Sequence, residues 1–538
     1  MALFGIDILS ILIFGPALGG LLVVLLPQNK WVARVVSLTV AILIGGASLA
    51  LFFAYQGSAG IGQEQFLFQV GQDSKWFELL GARFHLGVDG ISVVMVLLTG
   101  ILTPLAILIS WEITDRPNTH LALLLFFETG LMGVFVSMDL MVFFLFYEVS
   151  LVPMYFIINQ WGGPNRQYAS TKFMIYSIGG TLGMLLATQL IGFSTGTYEI
   201  AAITAEWPNF AADSTAFLGI PVGTVKALAF LGFFVAFCIK VPVWPFHTWL
   251  PDAHGEAPTA GSMLLAGVML KLGAYGFIRL VIPFFPDVWI SQVPLLGIDV
   301  ATFFAILAVL GIVLGAFAAF GQNDIKRLVA YSSVNHMGFV ALGLAVMAAL
   351  YGKAWASAQT GGLDATTMQN AIIATNGAVL QMFNHGLSSA GMFLLAGGIY
   401  HKTHTRNLDE YGGLWVKAPI FGVIFIYMSM ASLGLPGLNG FVSEFLVVRG
   451  AWPVFTGLTA ISMIGLLFTG SYILKGIRAV LHGPFNMNWQ HYNLEIDRRE
   501  LVAIAPLVVL ILVTGLAPNW ILTVINTTVT HIFMNGIG

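Results

Sequence analysis

Seven ionisable side chains stand where a chain this apolar should not hold them. Glu128 lies in "LALLLFFETGLMG", Glu148 in "FFLFYEVSLVPMYF", Lys240 in "FCIKVPVWPFHTWLPDAHGEAP" and Lys271 in "GVMLKLGAYGFIR". His336 lies in "YSSVNHMGFV", His385 in "LQMFNHGLSSAG" and Glu444 in "LPGLNGFVSEFLV". At bilayer depth each charge costs roughly 2.5–3.5 kcal/mol even on insertion scales, and such groups usually line an ion path. One of them alone can be an interhelical pair that only fixes packing, and a buried imidazole can sit neutral with two hydrogen bonds. Acids and bases alternating over seven separate spans are harder to read as packing. Their chemistry is proton transfer from one group to the next.

That reading needs a membrane, and the composition supplies one. Of 538 residues, 58% are hydrophobic and 9% charged, with mean hydropathy +0.88, against roughly 25% charged in an average soluble domain. The net charge of −3 belongs to short loops rather than to a basic or acidic domain, so no nucleic-acid partner is implied. The single cysteine, Cys238, excludes a disulfide framework or a multi-cysteine metal or iron–sulfur site within the chain, and no metal site is expected. The N-terminus "MALFGIDILS" carries Asp7 where a signal peptide would be basic, so the first apolar segment is expected to be retained.

A window of roughly 20 apolar residues gives an all-α integral membrane protein of about fourteen transmembrane helices. The spans fall near 7–26, 32–55, 88–110, 119–137, 139–161, 168–193, 225–250, 259–284, 299–321, 325–350, 371–400, 418–448, 454–481 and 502–535. Loops after odd-numbered spans hold most of the lysines and arginines, among them Lys30, Arg34, Arg166, Lys172, Lys326, Arg327, Lys402 and Arg406. Loops after even-numbered spans hold only Lys75, Arg83, Lys226, Arg279, Lys353 and Arg449. By the positive-inside rule the first set faces the cytoplasm and both termini lie on the positive, non-cytoplasmic side.

Two spans should not be continuous. Pro242 and Pro245 follow Lys240 directly, and Pro436, Gly437 and Gly440 precede Glu444; each proline removes a backbone donor and crowds the preceding turn. Broken helices in membranes are tolerated where they line a cavity. The breaks fall in spans 7 and 12, five apart. Spans 4–8 and 9–13 therefore read as two five-helix repeats, which an odd count makes inverted. The domain plan is 1–118 for the first three helices, 119–284 and 299–481 for the two repeats, and 482–538 for a loop and the last helix. His247, Asp252 and His254 flank the first break as relay groups or caps, and the loops 56–85 and 352–369 carry no motif. His401 and His404, beside Lys402 and Arg406, read as a solvated face rather than a metal site.

"FYEVSLVPMYFII", "KVPVWPFHTWLPDAHGEAPTAGSMLLAGVMLKLGAYGFIR", "DIKRLVAYSSVNHMGFV", "NHGLSSAGMFLLAGGIY" and "LPGLNGFVSEF" resemble the proton-pumping antiporter-like subunits of respiratory complex I (NADH-quinone oxidoreductase), of the subunit M or chain 4 type. The resemblance runs from Val88 to about Val480. It implies that Glu148 pairs with Lys240 at the first break, that Lys271 is the central relay lysine, that His336 and His385 continue the path, and that Glu444 is its terminal group. An acid at that last position marks the subunit M type. Glu128 and His254 are expected as auxiliary groups. The resemblance also implies a bacterial plasma membrane, membrane-arm partners of the L and N types with smaller membrane subunits, and NADH, FMN, iron–sulfur clusters and quinone bound by partner subunits. This chain is expected to bind no cofactor: it has no phosphate loop, and "GIGQEQ" from Gly60 lacks the third glycine of a dinucleotide fingerprint. A subunit of a related cation/proton antiporter or membrane-bound hydrogenase, and a scaffold whose buried charges only lock helices, are the alternatives.

Desolvation disfavours a charged amine and a nearby carboxylate favours it, so such a pair titrates as one unit. Moving or neutralising Glu148 is then the way to switch Lys240 between holding and releasing a proton. Glu148→Ala is expected to abolish or severely cut coupled proton transport in proteoliposomes while assembly persists, and Glu148→Asp to retain part of it; full transport in the Ala variant contradicts this role.

Overall fold

The computed structural model describes residues 2–3, 6–26, 29–58, 66–71, 76, 81–215, 219–294, 296–358 and 363–534. Lys75 and the "GIGQEQ" stretch lie outside them. Helices dominate: α1 Ile8–Leu25, α2 Lys30–Ser58, α3 Gly90–Ile109, α4 Pro117–Val136, α5 Leu140–Trp161, α6 Arg166–Thr195, α7 Val222–Lys240, α8 Trp249–Glu256 and α9 Thr259–Phe284. They continue as α10 Val300–Phe320, α11 Ile325–Ser357, α12 Ala365–Thr403, α13 Pro419–Leu433, α14 Asn439–Ala451, α15 Thr456–Leu481, α16 Arg498–Leu516 and α17 Asn519–Met534. Among the described residues, 12 helices are long and apolar enough to cross a membrane. The only sheet among them is two antiparallel two-stranded pairs, Ala2–Leu3 with Ile6–Asp7, and Leu67–Val70 with Leu86–Val88, where Leu67 faces Val88 and Val70 faces Leu86.

Aspartates at helix starts set several boundaries. Asp89, Asp139 and Asp324 each accept hydrogen bonds from two amides of the following first turn, which satisfies donors a helix leaves free. Elsewhere the long apolar stretches do the work, because in a bilayer each backbone group must be paired within its own segment. The outer helices turn bulky residues outward: Leu18 and Leu25, Leu43 and Phe53, Leu182 and Leu186, Leu467, and Leu516 are exposed. Helix α9 is buried from Ala260 to Phe284, and α11 from Ser332 to Gly352. With α12 they form a central rank sheathed by the rest, and every one of the seven groups except Glu148 is buried.

Both expected breaks are present. The span carrying Lys240 stops there and resumes at α8, and the one carrying Glu444 is interrupted between Leu433 and Asn439. A third interruption was not expected: the last span is split at Ala517 and Pro518 into α16 and α17. Pro518 was the available signal. Helix α17 is packed into the bundle. It buries Val524, Thr528 and Ile532 against α3 and α12, and Trp520 sets its ring edge-on to Phe52 and Phe383.

Two basic residues of the smaller set are buried inside helices rather than placed in loops. Lys226 is buried in α7, its Nζ donating to the Pro208 and Phe210 carbonyls and pairing with Asp287 at 3.1 Å. Arg279 is buried in α9 and pairs with Asp89. The charge bias between the two faces does not depend on either, since both leave the smaller set.

The third interruption packs on the second. A Cβ added at Gly515 would stand 2.3 Å from the Gly437 carbonyl oxygen and 2.5 Å from Leu438 Cα, and backbone cannot yield as a flexible side chain does. Gly515→Val is expected to destabilise the fold by about 1–3 kcal/mol, the usual cost of overpacking, seen as a lower unfolding temperature of the detergent-solubilised protein; an unchanged transition rules out this contact as a constraint.

Candidate functional site

Helix α9 is irregular where its lysine sits. The turns Leu265–Met269 and Phe277–Val281 are π-helical, flanking regular Leu270–Gly276, and such bulges recur at functional sites because they redirect side chains. Lys271 projects from the segment between them. Its Nζ donates to the Ala266 carbonyl and to Nδ1 of His385 on α12, the latter at 2.9 Å. With Nδ1 accepting, a neutral His385 carries its proton on Nε2, and that atom is buried with no protein partner.

The His385 ring centroid lies 5.7 Å from that of His336 on α11, the two rings tilted by 46°. His336 Nδ1 is 2.7 Å from Glu444 Oε1, and its Nε2 is 3.4 Å from the Tyr472 hydroxyl. Gln381 donates its amide to the same Glu444 oxygen at 3.0 Å. Ser443 donates to Gln381, and Asn384 donates to Ser443 at 3.0 Å and to the Asn439 carbonyl at 2.7 Å. Glu444 is thus held by side chains from distant segments: the base beside it is His336 of α11 and the amide donor is Gln381 of α12. Glu444 also lines a cavity of about 120 Å³ with Phe339, Phe441, Phe445 and Met463.

Lys240 is placed differently. Its Nζ is buried with no hydrogen-bond partner, 4.9 Å from the Tyr147 ring centroid and 5.9 Å from that of Phe173. Glu148 is the carboxylate whose field reaches it, yet the two do not touch, and Glu148 Oε1 is also unpartnered. The expected pairing therefore stands as electrostatic proximity, not contact. The two lysine-bearing helices nonetheless touch. A Cβ on Gly273 would lie 2.9 Å from Lys240 Cβ, so only glycine permits this approach two residues beyond Lys271.

The auxiliary groups divide. His254 is buried with both ring nitrogens unpartnered, stacked on Phe393 at 4.6 Å, and within Coulombic reach of Lys271 and Lys326. Glu128 is fully buried away from this row; neither carboxylate oxygen has a hydrogen-bond partner, and Thr103 is the polar side chain facing it. Asp252 is engaged by Lys172 at 2.7 Å and Arg327 at 3.1 Å, which makes it an anchor rather than a relay group. His247 lies near the Tyr331 ring. His401 meets Glu112 at 3.2 Å, and no group of three or more possible metal ligands occurs among the described residues.

A cavity of about 340 Å³ opens at the end of α9 opposite Arg279. Glu112, Glu256, Thr259, Lys326, His401 and Arg406 line it. Lys326 closes its inner side, donating to the Ala257 carbonyl at 3.0 Å. Sequence reasoning missed Lys326, Gln381, Asn384, Ser443 and Tyr472. Gln381, Asn384 and His385 occupy positions three and four apart on one helix, a spacing that puts them on one face and was the available signal.

The family model described as NADH:quinone oxidoreductase/Mrp antiporter, TM, matches residues 137–359 and 355–469. The NADH-quinone oxidoreductase subunit M of Rhodobacter capsulatus is 37% identical over 509 residues, covering 94% of this chain and 90% of its own length. A chain of the respiratory complex I from Thermus thermophilus with bound NADH superposes with TM-score 0.80 at 25% identity, over 98% of this chain and 100% of that one. The Mrp complex from Dietzia sp. DQ12-45-1b shares the fold, with TM-score 0.78 at 19% identity over 98% and 97%. The chain therefore belongs to the NADH:quinone oxidoreductase/Mrp antiporter membrane family and, within it, to the subunit M or chain 4 branch. It is a multi-pass subunit of a multi-subunit membrane complex.

Proposed function

We propose that this chain moves protons across the membrane as a subunit of an NADH-quinone oxidoreductase, along the row Lys271, His385, His336 and Glu444. The observation that carries the reading is the row itself: 2.9 Å from Lys271 to His385, imidazole centroids 5.7 Å apart, and 2.7 Å from His336 to Glu444. The Lys271 ammonium hands a proton to His385 Nδ1, and Nε2 releases one toward His336. His336 then passes a proton to Glu444, whose cavity leads it out of the row. Imidazoles suit this work because one nitrogen takes a proton as the other gives one up.

The cavity at Glu112 and His401 serves as the inlet. It leads by Lys326 to His254, which has both nitrogens free and senses both Lys326 and Lys271. The positive-inside bias puts this end in the cytoplasm of a bacterial plasma membrane and the termini on the positive side. Lys240, held only by ring faces and the field of Glu148, is the movable charge: protonating or displacing Glu148 removes the one carboxylate field acting on it, and Lys240 packs directly beside Gly273. The domains 119–284 and 299–481, with interrupted spans beside Lys240 and Glu444, act as two inverted repeats around this row. Electron transfer, with NADH, FMN, iron–sulfur clusters and quinone, lies on partner subunits, and L- and N-type subunits flank this one in the membrane arm.

Glu444→Gln preserves shape and hydrogen bonding but cannot release a proton. It is expected to lower coupled pumping by at least about tenfold, within the range of a lost proton-transfer group, whereas Glu444→Lys keeps a measurable fraction. Proton uptake or release by the reconstituted complex during NADH oxidation measures both, and a Gln variant that pumps like the parent removes Glu444 from the path.

A further inference from the structure

Beyond Lys271, toward the end away from the inlet, α9 carries Tyr275 and Arg279 at successive helical turns, and nothing in the relay uses them. The second π-helical turn, Phe277–Val281, contains Arg279 and aims it at Asp89, the residue capping α3. Asp89 is fully buried and Arg279 6% exposed. The guanidinium lies between two rings, 5.1 Å from the centroid of Phe66 and 5.2 Å from that of Tyr275. Tyr275 donates its hydroxyl to the Phe135 carbonyl at 3.0 Å and is 2.8 Å from the Ser92 hydroxyl, which lies 3.5 Å from Arg279. Its ring meets Phe135 edge-on and stacks on Phe143. Polar groups therefore continue along α9 past the central lysine, but they end in a permanent cation.

A fixed guanidinium in a narrow path is an electrostatic barrier to protons. It cannot relay one, because arginine does not deprotonate in proteins. Asp89 lowers the cost of burying that cation while its other oxygen stays committed to the first-turn amides of α3.

We propose that Arg279, pinned by Asp89 and backed by Tyr275, is a proton seal. It closes the direct route from Lys271 to the far face, so that a proton on Lys271 leaves only sideways through His385. Arg279 is a positioning residue and takes no part in transfer. The seal rests on the relay proposed above, and the two fail separately.

The test uses the whole complex in proteoliposomes, with passive proton conductance measured under an imposed pH gradient without NADH, and coupled pumping measured with it. Replacing one partner would strand a buried charge, whereas replacing both is often tolerated, so the variant is Asp89→Asn with Arg279→Gln. It is expected to oxidise NADH like the parent and to leak protons about tenfold faster, the order of effect of one focused charge on cation access. Arg279→Lys, which keeps the cation, is expected to hold the gradient. Adding Lys271→Ala to the double variant should abolish the leak.

A tight double variant overturns the seal, as does a leak that survives Lys271→Ala. If the double variant does not assemble, Tyr275→Phe decides: it removes only the hydroxyl linking Ser92 and Phe135 and should raise the passive leak about twofold by loosening the barrier, and a parent-like leak there overturns the seal. Normal pumping by Lys271→Ala alone would instead sink the relay.

Discussion

An amine in the middle of a bilayer persists only where something replaces the water it has lost, and the architecture is arranged around doing this for Lys271. The Ala266 carbonyl and the His385 imidazole take that role. The first is available because α9 departs from regular α-helical form just before the lysine, and the second because the 39-residue helix α12 runs unbroken past it. Burying α9 from Ala260 to Phe284 then requires a complete surrounding layer, which α3, α7, α11 and α12 provide. The outer helices can be ordinary lipid-facing spans because the inner rank is not.

The two lysines are held unequally. Lys240 has no hydrogen-bond acceptor and faces ring surfaces, interactions worth about 0.5–2 kcal/mol. Lys271 has two acceptors, and the row beyond it is braced by amides: Gln381 and Asn384 fix the carboxylate and the start of α14. That asymmetry gives the molecule a responsive half and a rigid half. A displaced charge near Tyr147 meets few interactions to break, whereas the geometry around Glu444 is tied from three helices.

Much of this was legible in the chain. Apolar stretches gave the helical membrane fold and twelve of the roughly fourteen expected spans among the described residues, since a bilayer imposes a length and forbids unpaired backbone. Pro242, Pro245 and Pro436 gave two breaks because proline acts locally. Six of the seven ionisable groups are buried, as charge in an apolar segment led one to expect. What the chain hid was contact between distant segments. His336 and Glu444 are 108 positions apart, and no local pattern joins them. The Glu148–Lys240 relation was legible as chemistry but not as distance, because side chains on separate helices are placed by how the helices tilt. Pro518 was visible but was passed over inside a long apolar run.

The last span touches two distant parts of the structure. On α16, Gly515 rests on the backbone of the break that precedes Glu444; on α17, Thr528 accepts a hydrogen bond from the amide of Gly90, beside Asp89. Between these points Trp520 is wedged against Phe52 and Phe383. The last span is in effect a tie rod with a joint at Ala517 and Pro518: one segment bears on the second interrupted span and the other on the cap of α3.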